Sequence, residues 1–256
     1  MTARRRGWRR NRGTPAPRGF LPAPLPGPHP RAGGAPPARA RRGPVLAATG
    51  IGGAALLGMS LSTEPGSPQF YLLTTGLAGT WAAGALSTGP LPLAKPGRGG
   101  GAPPLVTPVL IGAAAFGVFY GAARLARHIP PLSRAISTVL GYADGGSAPL
   151  VLLSASANAV AEELYFRGAL WPTADQSRPI TTTTLAYAAT TAATRNPALV
   201  LAGTATSLLF GLQRRTTGGV LAPALSHLTW SLLMLRYLPP LFRASARPPG
   251  AGHRGR

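Results

Sequence analysis

The sequence predicts an all-α fold, a polytopic bundle of about 7–8 transmembrane helices. Three observations favour it. Apolar stretches recur along the 256 residues, several of them near the roughly 20 residues that a helix needs to cross a bilayer. Only 12% of the residues are charged, against about 25% in a typical soluble domain. Small residues (Ala, Gly, Ser and Thr) fill several of these stretches, as expected of helices that pack against one another in lipid.

The apolar stretches are assigned to helices in chain order. We place seven of them, at 45–61, 70–86, 105–126, 150–171, 180–193, 198–212 and 220–238. The fourth contains a long apolar run without any charge, 148–161. Segment 133–140 (SRAISTVL) is interpreted as an amphipathic piece on the membrane surface. An eighth span would bring the carboxyl terminus to the cytoplasmic side.

Arginine is concentrated in segment 1–43, which carries eleven arginines and no acidic residue. Because this Pro- and Gly-rich segment cannot bury enough apolar surface to offset its ordering entropy, we expect a disordered tail. The positive-inside rule places the tail in the cytoplasm, where it would attract anionic lipid. Beyond Trp8 it lacks the interleaved aromatic residues of a nucleic-acid arm, so no specific nucleic acid is expected as a partner. A GC-rich coding bias would also produce Arg, Ala, Gly and Pro.

The remaining boundaries follow from composition. Leading transmembrane helices occupy 44–89, a Pro/Gly-rich loop 90–104, a membrane core 105–242 and a basic carboxyl tail 243–256. We expect the protein in the cell membrane, specifically a bacterial cytoplasmic membrane, with its amino terminus in the cytoplasm. The chain contains no cysteine, which excludes disulfides, thiolate catalysis and Cys-ligated metal.

The most informative stretch is AEELYFRG, at 161–168, because it puts two adjacent carboxylates into an otherwise apolar sequence. An ionised group at bilayer depth costs about 2.5–3.5 kcal/mol even on a lenient insertion scale, so this stretch is the candidate functional site. Glu163 and Arg167 share one helix face at the i, i+4 spacing. We expect them to neutralise each other, as buried charges require, and interpret both as supporting residues.

Glu162 is turned about 100° away from Glu163 on a helix and has no cation at the i, i+4 spacing. Ser154 and Asn158 lie on its own face, where they could hydrogen-bond Glu162 or a water. An unpaired, desolvated carboxylate can accept a proton from water near neutrality. Glu162 is therefore the candidate base.

Further polar groups lie at 210–215 (FGLQRR) and 227–231 (HLTWS). His227 and Ser231 are again at the i, i+4 spacing, so both can face one cavity, and we expect the ring of His227 to line it together with Glu162. A histidine on an apolar helix is either a hydrogen-bonded packing residue or a catalytic group. Both interpretations stay open.

These three stretches resemble a known family. EELYFRG matches the EExxxR signature of the CAAX-protease and bacteriocin-processing family (CPBP), the intramembrane prenyl-protein endopeptidases and their bacterial relatives, often called Abi proteins. In that family FxxxH and then HxxxN or HxxxD follow on later helices. Here Phe210-Gly-Leu-Gln-Arg214 and His227-Leu-Thr-Trp-Ser231 stand in the same order. The resemblance covers roughly 104–242.

The resemblance implies an intramembrane endopeptidase that hydrolyses a peptide bond with a Glu-activated water. Carried over, Glu162 activates the water, while His227 and Ser231 stabilise the oxyanion. Arg214 stands at the second-motif histidine; it stays protonated and cannot act as a base, but it could stabilise an oxyanion or pair with Glu162. The supporting residues would be Glu163, Arg167, Asn158 and Phe210.

No metal and no cofactor are expected. A catalytic zinc site uses about three protein ligands, whereas the apolar region offers only His227, Glu162 and Glu163, the last assigned to Arg167. The expected partner is a peptide or protein substrate in or at the membrane. The alternative is a catalytically degenerate family member that acts as a non-enzymatic membrane scaffold or partner-binding protein. A transporter would call for paired repeats, and the sequence has none.

Overall fold

The observed architecture is all-α, as predicted. The computed structural model describes residues 37–94 and 105–243, with side chains from 42 onward, and within these ranges it contains helices and no strand. The α-helices are α1 Pro37–Ser60, α2 Pro68–Leu86, α3 Val106–Ala126, α4 Pro130–Asp144, α5 Ala148–Glu163, α6 Pro179–Ala192, α7 Pro197–Thr217 and α8 Leu221–Arg243. All of them belong to one unit that begins at Pro37.

Local sequence signals set the helix ends. Proline stands in the first turn of α2, α4, α5, α6 and α7, where its missing N–H has no intrahelical partner to lose. The side chain of Ser67 accepts a hydrogen bond from the N–H of Phe70, and Asn196 caps α7 in the same way. α7 ends at Thr217 and is capped by Gly218, whose φ of 70° favours a residue without a Cβ.

Each of the seven predicted stretches falls on a helix. The stretch at 150–171 continues beyond α5 through a π-helix, Leu164–Leu170, into a 3₁₀-helix, Trp171–Thr173. Segment 133–140 lies within α4. α1 begins at Pro37, so residues 37–43 of the predicted tail are helical, because Ala and Arg favour helix once Pro has started it. The rest of that tail, 95–104 of the predicted loop and 244–256 of the carboxyl tail lie outside the described residues.

Within the described residues, two helices are long and apolar enough to cross a membrane, Arg42–Ser60 in α1 and Val106–Ala126. The pair Pro130–Asp144 and Ala148–Thr173, bent by 116°, would add a third if it acts as one span. α6, with 14 residues, is shorter than the roughly 20 that a straight span needs. The structure supports a helical membrane protein, and the count of 7–8 spans stays a prediction.

α2 packs directly on the motif segment, and α1 is hydrogen-bonded to it. The ring centroid of Trp81 in α2 lies 4.5 Å from that of Tyr165 and 5.3 Å from that of Phe166, and all three residues are buried. Gly53 of α1 permits this packing, since a Cβ there would lie 2.4 Å from ring carbons of Trp81. The hydroxyl of Tyr165 donates to the carbonyl of Leu46 in α1. α1 and α2 therefore fix the position of the EELYFRG segment.

α8 carries the third motif and lies against α3, α4, α5 and α7. The backbone N–H groups at 220–221 donate to the carbonyls at 92–93, over 2.9 and 2.8 Å. The hydroxyl of Ser226 donates to the carbonyl of Pro108 in α3 over 2.7 Å. These bonds fix the rotation of α8 and so determine which way His227 and Ser231 face.

Candidate active site

The helix changes type at the acidic pair. α5 ends at Glu163, and the next seven residues, Leu164–Leu170, are π-helical. π-Helical turns are rare and often occur at functional sites. Both carboxylates therefore lie at the junction between two helix types, with Arg167 one turn further on.

Glu163 is the centre of a buried charged cluster. Its side chain and that of Arg167 are 0% exposed. Oε1 of Glu163 accepts a hydrogen bond from Nη1 of Arg167 over 3.2 Å and lies 3.0 Å from Nδ1 of His227. Because a carboxylate only accepts hydrogen bonds, this contact places a hydrogen on Nδ1. The ion pair expected from the i, i+4 spacing is present, and His227 joins it.

Arg167 connects this cluster to the neighbouring helices. Its Nη2 donates to both the carbonyl and the hydroxyl of Ser207 in α7, over 2.8 Å each. Its guanidinium carbon lies 5.5 Å from the ring centroid of Tyr187 and 5.7 Å from that of Phe210, positions in which an aromatic face stabilises a cation. Phe210 also stacks on His227, with 4.9 Å between centroids. The cluster thus joins α6, α7 and α8 to the motif segment.

Glu162 has a different environment. It is half-buried and lies on the wall of a cavity of about 350 Å³. Its Oε2 accepts a hydrogen bond from the hydroxyl of Tyr187. Among the side chains at 42–94 and 105–243, no cation forms an ion pair with it. Of the two adjacent acids, Glu163 is therefore buried with a cation, and Glu162 lies on the cavity wall.

The cavity lies between α1, α2, α4, α5, α7 and α8, and most of its lining is apolar. Ser231, Ser154 and Asn158 line it together with Glu162. The amide nitrogen of Asn158 donates to the carbonyls of Thr74 and Ser154, over 3.1 and 2.9 Å. The hydroxyl of Ser154 donates to the carbonyl of Val151. Asn158 and Ser154 therefore share the cavity with Glu162 but do not hydrogen-bond it.

His227 does not line this cavity, although Trp230 and Ser231 of the same helix do. It is only 6% exposed, and its ring turns to Glu163. The expectation that Glu162 and His227 line one cavity therefore needs correction. The buried carboxylate of Glu163 provides the hydrogen-bond acceptor that a buried imidazole N–H needs, and this holds the ring behind the cavity wall.

Arg214 is also directed away from the cavity. Its Nε donates to the carbonyl of Arg167 over 2.7 Å, and its guanidinium carbon lies 5.5 Å from the ring centroid of Trp171. In a π-helical pattern that carbonyl would accept the N–H five residues on, but Pro172 has none. Arg214 supplies the missing donor, and it makes no ion pair with Glu162 within the described part of the chain.

No three or more His, Asp or Glu side chains come together as a metal site within 37–94 and 105–243. Near the acidic pair, His227 is bonded to Glu163, whose Oε1 is also bonded to Arg167. The absence of a metal and of a cofactor stays a prediction.

Two residues that contact the candidate site were not predicted from the sequence. Tyr187 bonds Glu162 and Ser207 bonds Arg167, and both come from helices distant in sequence. Spacing rules connect residues three or four apart on one helix and cannot link positions on different helices. The one available signal was that Tyr187 is the only aromatic residue in α6 (PITTTTLAYAATTA).

Part of the chain matches a known protein family. Residues 144–233 match the model of the family described as Type II CAAX prenyl endopeptidase Rce1-like. The matched range contains the acidic pair and both later motif positions, from the end of α4 into α8. No curated protein and no solved structure matches the chain significantly. Segment 144–233 is therefore an Rce1-like segment, and the family that EELYFRG indicates is confirmed.

Proposed function

We propose that the protein is an intramembrane endopeptidase of this family, with Glu162 as the base that activates water. The observation that carries the proposal is the contrast between the two acids. Glu163 is enclosed with Arg167 and His227. Glu162 has a single hydrogen-bond partner in the described part of the chain, on Oε2, and lies on the cavity wall. Its Oε1 is available to a water, as a general base requires.

In the proposed step, a water in the cavity gives a proton to Glu162, and the resulting hydroxide attacks the carbonyl carbon of the scissile bond. Negative charge develops on the carbonyl oxygen, and Ser231, on the same cavity wall, donates its hydroxyl to that oxygen. The proton then passes from Glu162 to the nitrogen as the C–N bond breaks. The products are a carboxylic acid and an amine, and the carboxylate of Glu162 is restored.

His227 and Arg214 support this step from behind the wall. His227 bonds Glu163, whose position fixes that of the preceding residue, Glu162. Arg214 bonds the carbonyl of Arg167 and so stabilises the π-helical turn that follows. In this proposal the oxyanion donor is Ser231, and the other two residues act through the helix that carries the base.

The lining of the cavity favours a particular substrate. Its walls are mainly apolar and carry few polar groups, so a peptide or protein segment with apolar side chains, in or at the membrane, fits best. The protein would be a multi-pass protein of a bacterial cytoplasmic membrane with 7–8 spans. The arginine-rich segment 1–43 would hold its amino terminus on the cytoplasmic side against anionic lipid.

The test is cleavage of a membrane-anchored reporter peptide by the full-length protein in lipid vesicles. Glu162→Gln keeps the size and a hydrogen-bond acceptor but removes the base, so cleavage should be lost while the protein stays folded. Glu64→Gln makes the same change at an exposed residue and should leave cleavage at the wild-type rate. Equal cleavage by wild type and Glu162→Gln would overturn the mechanism.

A catalytically degenerate membrane scaffold is the second candidate, favoured by one observation. Arg214 stands at the second-motif histidine position and is engaged with Arg167 and Trp171, so this position offers no base. On this alternative the charged cluster holds helices together and binds no substrate. Glu162→Gln would then leave partner binding intact, and no reporter would be cleaved by the wild type.

A further inference from the structure

We propose that Tyr187 is the positioning residue of Glu162, holding one carboxylate oxygen so that the other faces the cavity. The inference rests on the proposed role of Glu162 as the base. The hydroxyl of Tyr187 donates to Oε2 of Glu162, and no other side chain at 42–94 or 105–243 forms a hydrogen bond with this carboxylate. The orientation of the base therefore depends on a residue from another helix.

Tyr187 is itself held on three sides. Its ring centroid lies 5.5 Å from the guanidinium carbon of Arg167 and 4.8 Å from the ring centroid of Phe166. On the third side, Gly203 of α7 leaves the space that the ring occupies, because a Cβ there would lie 2.9 Å from Cε1 of Tyr187. The phenol has little freedom, so its hydroxyl presents a fixed donor.

The position of Tyr187 matters because the second motif does not provide a group next to Glu162. Arg214, which occupies that motif position, is bonded to the carbonyl of Arg167. Without the hydroxyl of Tyr187, the carboxylate could rotate about its terminal torsion, which is broad for an sp³–sp² bond. The base would then spend less time with a free oxygen toward the substrate, which lowers turnover more than substrate binding.

Tyr187→Phe tests the inference, since it removes the hydroxyl and keeps the ring against Arg167 and Phe166. The matched control is Tyr71→Phe, which removes a hydroxyl that accepts a hydrogen bond from the backbone N–H of Ser147, away from the acidic pair. We expect Tyr187→Phe to lower kcat of reporter cleavage about 10- to 100-fold with KM within about twofold. Tyr71→Phe should leave kcat and KM unchanged, even if it lowers the unfolding temperature.

Infrared spectroscopy of the same protein provides a readout that does not require activity. The chain has only five acidic side chains, so the difference spectrum between wild type and Glu162→Gln isolates the carboxylate bands of Glu162. Tyr187→Phe should shift these bands, and Tyr71→Phe should not. Gly203→Ala, which displaces the ring while leaving the hydroxyl present, should shift them as well.

Each outcome has one meaning. Unshifted bands in Tyr187→Phe overturn the inference, as does a shift with wild-type kcat, because the hydrogen bond would then have no role in turnover. Equal cleavage by wild type and Glu162→Gln overturns the proposed base, and a positioning role with it. A folded Glu162→Gln without activity, together with a fully active Tyr187→Phe, refutes only the role of Tyr187.

Discussion

Nδ1 of His227 lies 3.0 Å from Oε1 of Glu163, and this contact separates the site into two parts. Behind the wall lies a buried charged cluster, which joins the motif helix to α7 and α8. In front lies a mostly apolar cavity, whose lining includes Glu162 and Ser231. Mutations in the two parts should therefore differ in kind: those in the cluster change stability, and those on the cavity wall change turnover.

Glu163→Ala should strongly destabilise the protein. It leaves Arg167 buried without its anion and removes the hydrogen-bond acceptor of His227. Breaking a buried ion pair from one side costs about 3–5 kcal/mol, and this should appear as a lower free energy of unfolding in a denaturant titration of the purified protein. Glu162→Gln, one residue away, should change the free energy of unfolding by less than about 1 kcal/mol. Equal stability of the two variants would contradict the division of the site.

Arg214→His should destabilise the protein and should not raise cleavage. A histidine is too short to reach the carbonyl of Arg167 and cover Trp171 as Arg214 does. The loss of a buried, charge-assisted hydrogen bond costs about 1.5–3 kcal/mol. The unfolding temperature and the rate of reporter cleavage are to be measured on the same preparation. A gain in cleavage would show instead that Arg214 is a degenerate replacement of a catalytic histidine.

Ser231→Ala should lower kcat of cleavage, with little effect on the unfolding temperature. Ser231 lines the cavity with Glu162 and is the oxyanion donor in the proposed function; removing such a donor typically costs about 2.7–4 kcal/mol in the transition state. Ser154→Ala is the matched control, since Ser154 also lines the cavity but its hydroxyl bonds the carbonyl of Val151. If both variants lose the same activity, the effect comes from the cavity surface and not from a specific donor.

Gly53→Ala should destabilise the protein and also reduce any activity of the distant site. A methyl group there meets the ring of Trp81, which packs on Tyr165 and Phe166 of the motif segment. Overpacking of this kind costs about 1–3 kcal/mol. Gly76→Ala is the control in α2, because nothing lies within 4 Å of its Cβ position; it should be neutral or stabilise the helix slightly. Thermal unfolding of both variants tests the comparison.

The helices could be predicted well because each depends on local signals. Apolar runs of suitable length gave the seven predicted stretches, and each of them falls on a helix. The i, i+4 rule likewise predicted the ion pair of Glu163 and Arg167. These features require no knowledge of which helices are neighbours.

The rest of the site depends on tertiary neighbours. His227 contacts Glu163 because of the way α8 is rotated about its axis. Hydrogen bonds from α8 to the 92–93 segment and to α3 determine this rotation. The role of Arg214 follows from the carbonyl of Arg167, to which Pro172, five residues on, cannot donate. Tyr187 reaches Glu162 across 25 residues of sequence. No spacing pattern within one helix contains this information.

The position of Glu162 has a consequence for any substrate of the proposed reaction. Glu162 lies in a mostly apolar wall, whereas each carbonyl of an α-helix is hydrogen-bonded within the helix and surrounded by its side chains. In the proposed reaction a substrate helix would therefore unwind locally before a water at Glu162 could attack one of its carbonyl carbons. The rate of cleavage would then depend on how easily the substrate helix frays, so helix-breaking residues near the scissile bond should speed the reaction without any direct contact to the enzyme.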